Sequence, residues 1–151
     1  MSCHKDKRAA LHRPSHHPVL EGKVVCSDCH NPHGSVGPFQ MVRDTVNDTC
    51  FTCHADKRGP FLRSHQPVTE DCSICHNPHG TINAAMLKMR APFLCQQCHN
   101  PDSHRGRAAN LLGGASQFVT NTLGRGCLNC HTSIHGTNNP TDDAGSRSFQ
   151  R

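Results

Sequence analysis

The chain has 151 residues, of which only 34% are hydrophobic, with no Trp, no Tyr and six Phe, and its formal net charge is +5. That composition excludes a self-sufficient hydrophobic core. The Lys and Arg residues are dispersed, with no aromatic residues interleaved for base stacking, which excludes nucleic acid as a partner, and no apolar stretch reaches the roughly 18 residues of a membrane helix.

From the N-terminus, the first feature is "MSCH", where Cys3 and His4 stand without a second cysteine. Next comes "LHRPSHHP", holding His12, His16 and His17. Five complete motifs follow: "CSDCH" (Cys26, Cys29, His30), "CFTCH" (Cys50, Cys53, His54), "CSICH" (Cys72, Cys75, His76), "CQQCH" (Cys95, Cys98, His99) and "CLNCH" (Cys127, Cys130, His131). C-x-x-C-H is the attachment signature of c-type haem. On one helical turn, residues i, i+3 and i+4 share a face. Two thiols there can form thioethers to one porphyrin while the next imidazole lies under the iron as proximal ligand. "MSCH" is the back half of the same motif. Zinc ribbons and redox pairs also use C-x-x-C, but here a histidine closes every pair. A disulfide framework is weaker still, because cysteines so close in sequence close very short loops.

The expected cofactor is therefore haem c, five covalent groups with a candidate sixth at Cys3 and His4 through a single thioether. The macrocycles would supply the apolar filling that the chain lacks, so the haem-free chain is expected to be largely unfolded. Each haem brings about −2 from its propionates against about +1 on the ferric core, which assigns the basic residues to balancing propionates.

First cysteines of successive motifs lie 24, 22, 23 and 32 residues apart. "CSDCHNPHGS" from Cys26 and "CSICHNPHGT" from Cys72 nearly duplicate each other at an offset of 46 residues, which marks a two-haem repeat. "SHHPV" at Ser15 echoes "SHQPV" at Ser64. The pattern predicts mostly coil, with short α-helices at the motifs joined by Pro- and Gly-containing loops and little or no β-structure, laid out as an elongated haem wire. Residues 105–126 are Gly-rich and form either a partner-docking or an inert loop. The multihaem domain is assigned to residues 1–135. A polar tail, expected to be disordered, occupies 136–151.

Of the 14 histidines, six are proximal by motif: His4, His30, His54, His76, His99 and His131. The distal candidates are His17, His33, His65, His79, His104 and His135, each near a Gly or Pro that can aim a side chain. His12 reads as a surface residue. For His16 and His17 the signals conflict, since the internal repeat favours His16 and adjacency to Pro18 favours His17; the choice is His17. His33 and His79 lie only three residues beyond His30 and His76, too close to cap the same haem, and are expected to ligate neighbours. Six distal candidates match six proximal ones. If every iron is bis-histidine, none has an open position for substrate, so the chain is expected to carry electrons rather than act as an enzyme. Met41, Met86 and Met89 read as packing residues.

No signal peptide precedes the motifs, yet haem attachment to exported cytochromes follows secretion. The sequence therefore reads as a C-terminal piece of a longer exported protein.

The segments "CSDCHNPHGS", "VNDTCFTCHADKRGP", "PVTEDCSICHNPHGT", "LKMRAPFLCQQCH" and "GCLNCHTSIHG" resemble the C-terminal half of MtrA/DmsE-type decahaem c cytochromes. The resemblance covers nearly all of residues 1–136. It implies a near-linear row of bis-His haems entering a porin-like outer-membrane β-barrel. Electrons would pass from a periplasmic or inner-membrane donor cytochrome to an extracellular cytochrome or reductase, which places the chain at the periplasm and outer membrane. The competing readings are a soluble periplasmic electron shuttle donating to a reductase, and a multihaem reductase with one five-coordinate haem.

Overall fold

The computed structural model describes residues 2–99, 126–129 and 131–139. His104, Cys130, residues 105–125 of the Gly-rich interval and the tail beyond residue 139 lie outside them.

Each motif folds around one shared hydrogen bond. The backbone N–H of its histidine donates to the carbonyl of its first cysteine, at 2.9 Å for His30, His54, His99 and His131 and 3.0 Å for His76. That bond closes one α-type turn and puts both cysteines and the imidazole on one side of it. Local capping differs from motif to motif. Helix α2 (Cys26–Cys29) starts where the Val25 N–H donates to the Asp28 carboxylate at 2.9 Å, half of a capping box. Helix α3 (Val46–Phe51) carries Cys50 near its end and is capped by Thr45, whose Oγ1 accepts from the Asp48 N–H at 3.0 Å. The third, fourth and fifth motifs are single tight turns, Cys72–Ile74, Cys95–Gln97 and Cys127–Asn129. Turns this short cannot sustain themselves in water.

Other elements lie beyond the motifs. Helix α1 (Lys5–Leu11) follows Cys3 and His4 and buries Ala10 and Leu11. Strands β1 (Arg63–Ser64) and β2 (Gly136–Thr137) pair antiparallel, Arg63 opposite Thr137 and Ser64 opposite Gly136. The tail is therefore ordered at its start, contrary to the expectation of disorder from Gly136 onward. The backbone of residues 136 and 137 is paired, and the Asn138 amide oxygen accepts from the Leu62 N–H at 2.8 Å. Gly136, at φ +150°, lies where a Cβ would overlap the Phe61 ring. Helix α4 (Gln66–Glu70) then leads into the third motif.

The 46-residue repeat is a structural one. His30 bridges Met41 and His76 bridges Leu87 in matching antiparallel contacts. The Asn31 N–H donates to Gln40 and the Asn77 N–H to Met86, at 2.7 and 2.9 Å. Between bridge and motif, the chain turns through two consecutive non-glycine residues in the left-handed region: Phe39 and Gln40 at φ 53° and 56°, Ala85 and Met86 at φ 54° and 55°. Each such residue costs about 1–3 kcal/mol and persists only where the surroundings hold it.

The core is small. The buried apolar residues among those described are Ala10, Leu11, Met41 and Val46, and no large side chain there is fully buried. Val36, Ile82, Leu62 and Phe39 are 97%, 78%, 77% and 76% exposed. Leaving such side chains in water forgoes about 1.5–3 kcal/mol apiece, so the polypeptide holds apolar surface in excess of what it covers. Buried polar groups do much of the joining. Asn47, 7% exposed, donates to the Val68 and Thr69 carbonyls at 2.9 and 3.2 Å and accepts from the Cys72 N–H at 2.7 Å, tying α3 to α4 and the third motif. Ser15 and Thr81 exchange backbone bonds at 3.2 and 2.8 Å and dock the N-terminal segment on the repeat.

Candidate haem centres

The motif histidines do not stand alone. Four of them face a second imidazole far away in sequence: His30 faces His79, His54 faces His17, His76 faces His135 and His99 faces His65. Ring centroids in these pairs are 5.9 to 6.1 Å apart. A metal–imidazole bond is about 2 Å and the ring centre lies about 1 Å beyond the nitrogen, so two imidazoles on opposite sides of one metal hold their centroids about 6 Å apart. The planes are nearly parallel for His30 with His79 (7°), His76 with His135 (15°) and His65 with His99 (25°), and tilted by 55° for His17 with His54.

Second contacts fix which nitrogen faces the gap. Nδ1–H of His30 donates to the Phe39 carbonyl at 3.0 Å, that of His76 to Ala85 at 2.8 Å, and that of His17 to Pro78 at 2.7 Å. Each bond leaves the Nε2 lone pair free for a metal. His16 is turned away from this arrangement. Its Nδ1 bonds the Arg13 carbonyl at 2.5 Å and its Nε2 the Glu21 carboxylate at 3.1 Å, and these bonds, Glu21 first, raise its pKa toward the charged form, which has no free lone pair. The three distal candidates His65, His79 and His135 are half-buried, and burial lowers the pKa of each, keeping the ring neutral as a ligand must be.

The cysteines of successive motifs also meet. The first cysteines Cys50 and Cys72 share a thiol hydrogen bond, which holds the Cys50 proton on, and Cys95 and Cys127 share another. The second cysteines Cys29 and Cys53 are electrostatic neighbours, as are Cys75 and Cys98. A cysteine of each motif is thus an electrostatic neighbour of one in the next, alternately the second and the first of the pair.

Among the described residues no group of three or more His, Cys, Asp or Glu gathers as a metal-ligand set. A structural zinc site takes four such donors and a catalytic one three. A pair of opposed imidazoles leaves an octahedral metal's four equatorial positions to be filled from outside the chain, and a porphyrin fills four. The cysteine turns beside His30, His54, His76 and His99 would supply two thioether positions each. The residues fit haem c.

His4, Cys3, His33 and His12 are exposed, and neither His4 nor His33 belongs to such a pair among the described residues. His131 closes its motif turn. Met41 is buried with its backbone bridged to His30, and Met89 accepts from Gln97. Sequence reasoning missed the Phe39, Ala85 and Pro78 carbonyls and the Asn47 clasp. The first two sit 13 residues after the first cysteine of their repeats, a shared register that could have drawn attention to them.

Motif turns and a haem-fitting donor set together define a multihaem c-type cytochrome. The family model described as "Doubled CXXCH motif" matches residues 16–59 and 65–112, and the chain belongs to that family. It is 51% identical over 146 residues to multiheme cytochrome MtrA of Shewanella baltica (strain OS185), an alignment covering 93% of this chain and 43% of that protein. The resemblance to MtrA-type cytochromes thus holds over nearly the whole chain, which spans less than half the length of this relative.

Proposed function

We propose that the chain conducts electrons along a row of bis-histidine haems, as one section of a conduit between the periplasm and the cell exterior across the outer membrane. The observation that carries this reading is the set of four imidazole pairs, each with space for one metal. In this reading Cys26 and Cys29, Cys50 and Cys53, Cys72 and Cys75, Cys95 and Cys98, and Cys127 and Cys130 form the thioethers. The axial sets are His30 with His79, His54 with His17, His76 with His135 and His99 with His65. His131 and His4 are the remaining proximal ligands, His104 and His33 the remaining distal ones, and Cys3 with His4 makes a sixth attachment site.

Haem held in these sites would supply a one-electron ferric–ferrous couple, each iron being held between the two imidazoles of a pair. The chain's own work is positional. Carbonyls of Phe39, Ala85 and Pro78 hold three rings by Nδ1, burial keeps distal rings neutral, and alternating cysteine contacts keep each motif beside the next. Substrate finds no free coordination position, so no bond chemistry is expected.

The outer-membrane part of the reading rests on the likeness to MtrA. Its partners would be a porin-like β-barrel, an extracellular cytochrome or reductase, and a donor cytochrome of the periplasm or inner membrane. The test is co-expression of the holo-protein with a candidate barrel and reconstitution in liposomes. Reduction of a dye trapped inside by an external donor supports the conduit. A protein that never joins the barrel yet reduces a soluble reductase is instead a periplasmic shuttle. Carbon monoxide binding by the native ferrous protein would mark an open coordination position and favour a reductase.

A further inference from the structure

Two loops hold strain at matching places. Phe39 and Gln40 in the first repeat, and Ala85 and Met86 in the second, occupy the left-handed region without being glycine. The side chains at these places differ, and Phe39 is 76% exposed, so its ring does not hold the loop in place. What the two loops share is backbone. Each is pinned to its motif on both sides: Asn31 N–H to Gln40 and Val42 N–H to Cys29 at 2.7 and 3.0 Å, Asn77 N–H to Met86 and Lys88 N–H to Cys75 at 2.9 and 2.8 Å. Each also aims a carbonyl at a proximal imidazole, Phe39 at His30 and Ala85 at His76. Among the described residues, the rings of His54 and His99 have no backbone carbonyl partner.

Resting on the axial-ligand reading above, we infer that Phe39 and Ala85 are positioning residues that lower the reduction potentials of the haems at the first and third motifs, by presenting their carbonyls to Nδ1–H of His30 and His76. A carbonyl accepting from Nδ1–H makes the imidazole a stronger donor through Nε2. A stronger donor stabilises ferric over ferrous iron and lowers the potential. The left-handed backbone is what points the carbonyl inward.

The substitutions that test this act on the backbone and leave the carbonyl itself in place. Proline cannot adopt a positive φ, whereas glycine adopts it without strain. Holo-proteins carrying Ala85→Pro or Ala85→Gly would be compared with the parent by potentiometric titration, with haem content and low-spin character checked in each. Ala85→Pro is expected to move one haem upward, so that the ferric-to-ferrous ratio at fixed potential falls about tenfold, 59 mV for a one-electron couple. Ala85→Gly is expected to leave every potential in place while raising thermal stability. Phe39→Pro and Phe39→Gly provide an independent second pair at the other repeat. Unchanged potentials in either proline variant, with all haems present and low-spin, would overturn the inference and leave the ligand reading intact. A parent protein with high-spin haem at these motifs would overturn both.

Discussion

The rings of His30 and His79, 49 residues apart in the sequence, face each other at 6.0 Å with planes only 7° from parallel, while those of His54 and His17 stand at 6.1 Å and 55°. Parallel axial imidazoles lift the near-degeneracy of the two iron d orbitals that overlap the imidazole π systems, whereas crossed ones leave it nearly intact. The oxidised holo-protein should therefore show two kinds of low-spin electron paramagnetic resonance signal. Rhombic spectra are expected from the near-parallel pairs and a larger maximum g value from the tilted one. His17→Ala should remove the latter signal and leave the rhombic ones.

The pairing across repeats can be tested by combining variants. His79→Ala should create one carbon monoxide-binding haem, because His30 loses its partner. Adding Cys26→Ala and Cys29→Ala, which removes the haem of the first motif, should abolish that binding. Adding Cys72→Ala and Cys75→Ala instead should leave it. The opposite pattern would assign His79 to its own motif.

Asn47 supplies three hydrogen bonds from a buried position. Asn47→Ala strands two backbone carbonyls and one N–H where water has little access. Each stranded group costs about 1–3 kcal/mol, and partial rehydration keeps the total near the low end of the sum. A clear drop in the denaturation midpoint of the holo-protein is the expected outcome. Asn47→Asp keeps the acceptor for the Cys72 N–H but turns a charge toward the Val68 and Thr69 carbonyls, so it should not rescue.

Withholding haem should cost the fold itself. With Ala10, Leu11, Met41 and Val46 as the buried apolar side chains among the described residues, the polypeptide has little to set against the roughly 1–2 kcal/mol of backbone entropy per ordered residue. The chain expressed without haem attachment should give a coil-like far-ultraviolet circular dichroism spectrum and no cooperative melt. A cooperative thermal transition would show that the polypeptide has a core of its own.

The motif turns could be read from the sequence because C-x-x-C-H is a local pattern, and one hydrogen bond from histidine to first cysteine closes each turn. Mostly coil with short helices followed for the same reason, and the described residues have that form. The partner of each imidazole was harder to read. Pro18 and Gly80 mark His17 and His79 as aimed residues without saying at what, because the partners lie 37 and 49 residues away. His16 and His17 differ in what their rings bond, Glu21 for one and the Pro78 carbonyl for the other, and the second of those contacts is long-range. The carbonyl contacts of Phe39 and Ala85 left only their shared register as a signal, because neither residue type favours a left-handed backbone. Helix α1 was passed over because seven residues carry too little periodicity to stand out.

Proximal and distal positions interleave along the chain: the span from 17 to 54 overlaps that from 30 to 79, which overlaps 65 to 99, which overlaps 76 to 135. A polypeptide exported N-terminus first would therefore deliver the first motif well before His79, and the third well before His135. In the axial-ligand reading the first and third of these centres wait for chain that has yet to arrive, whereas the second and fourth find His17 and His65 already in place, so among the four the third is completed last. A nick between His99 and His135 would reach back to the third motif, because it separates His135 from the chain that carries His76.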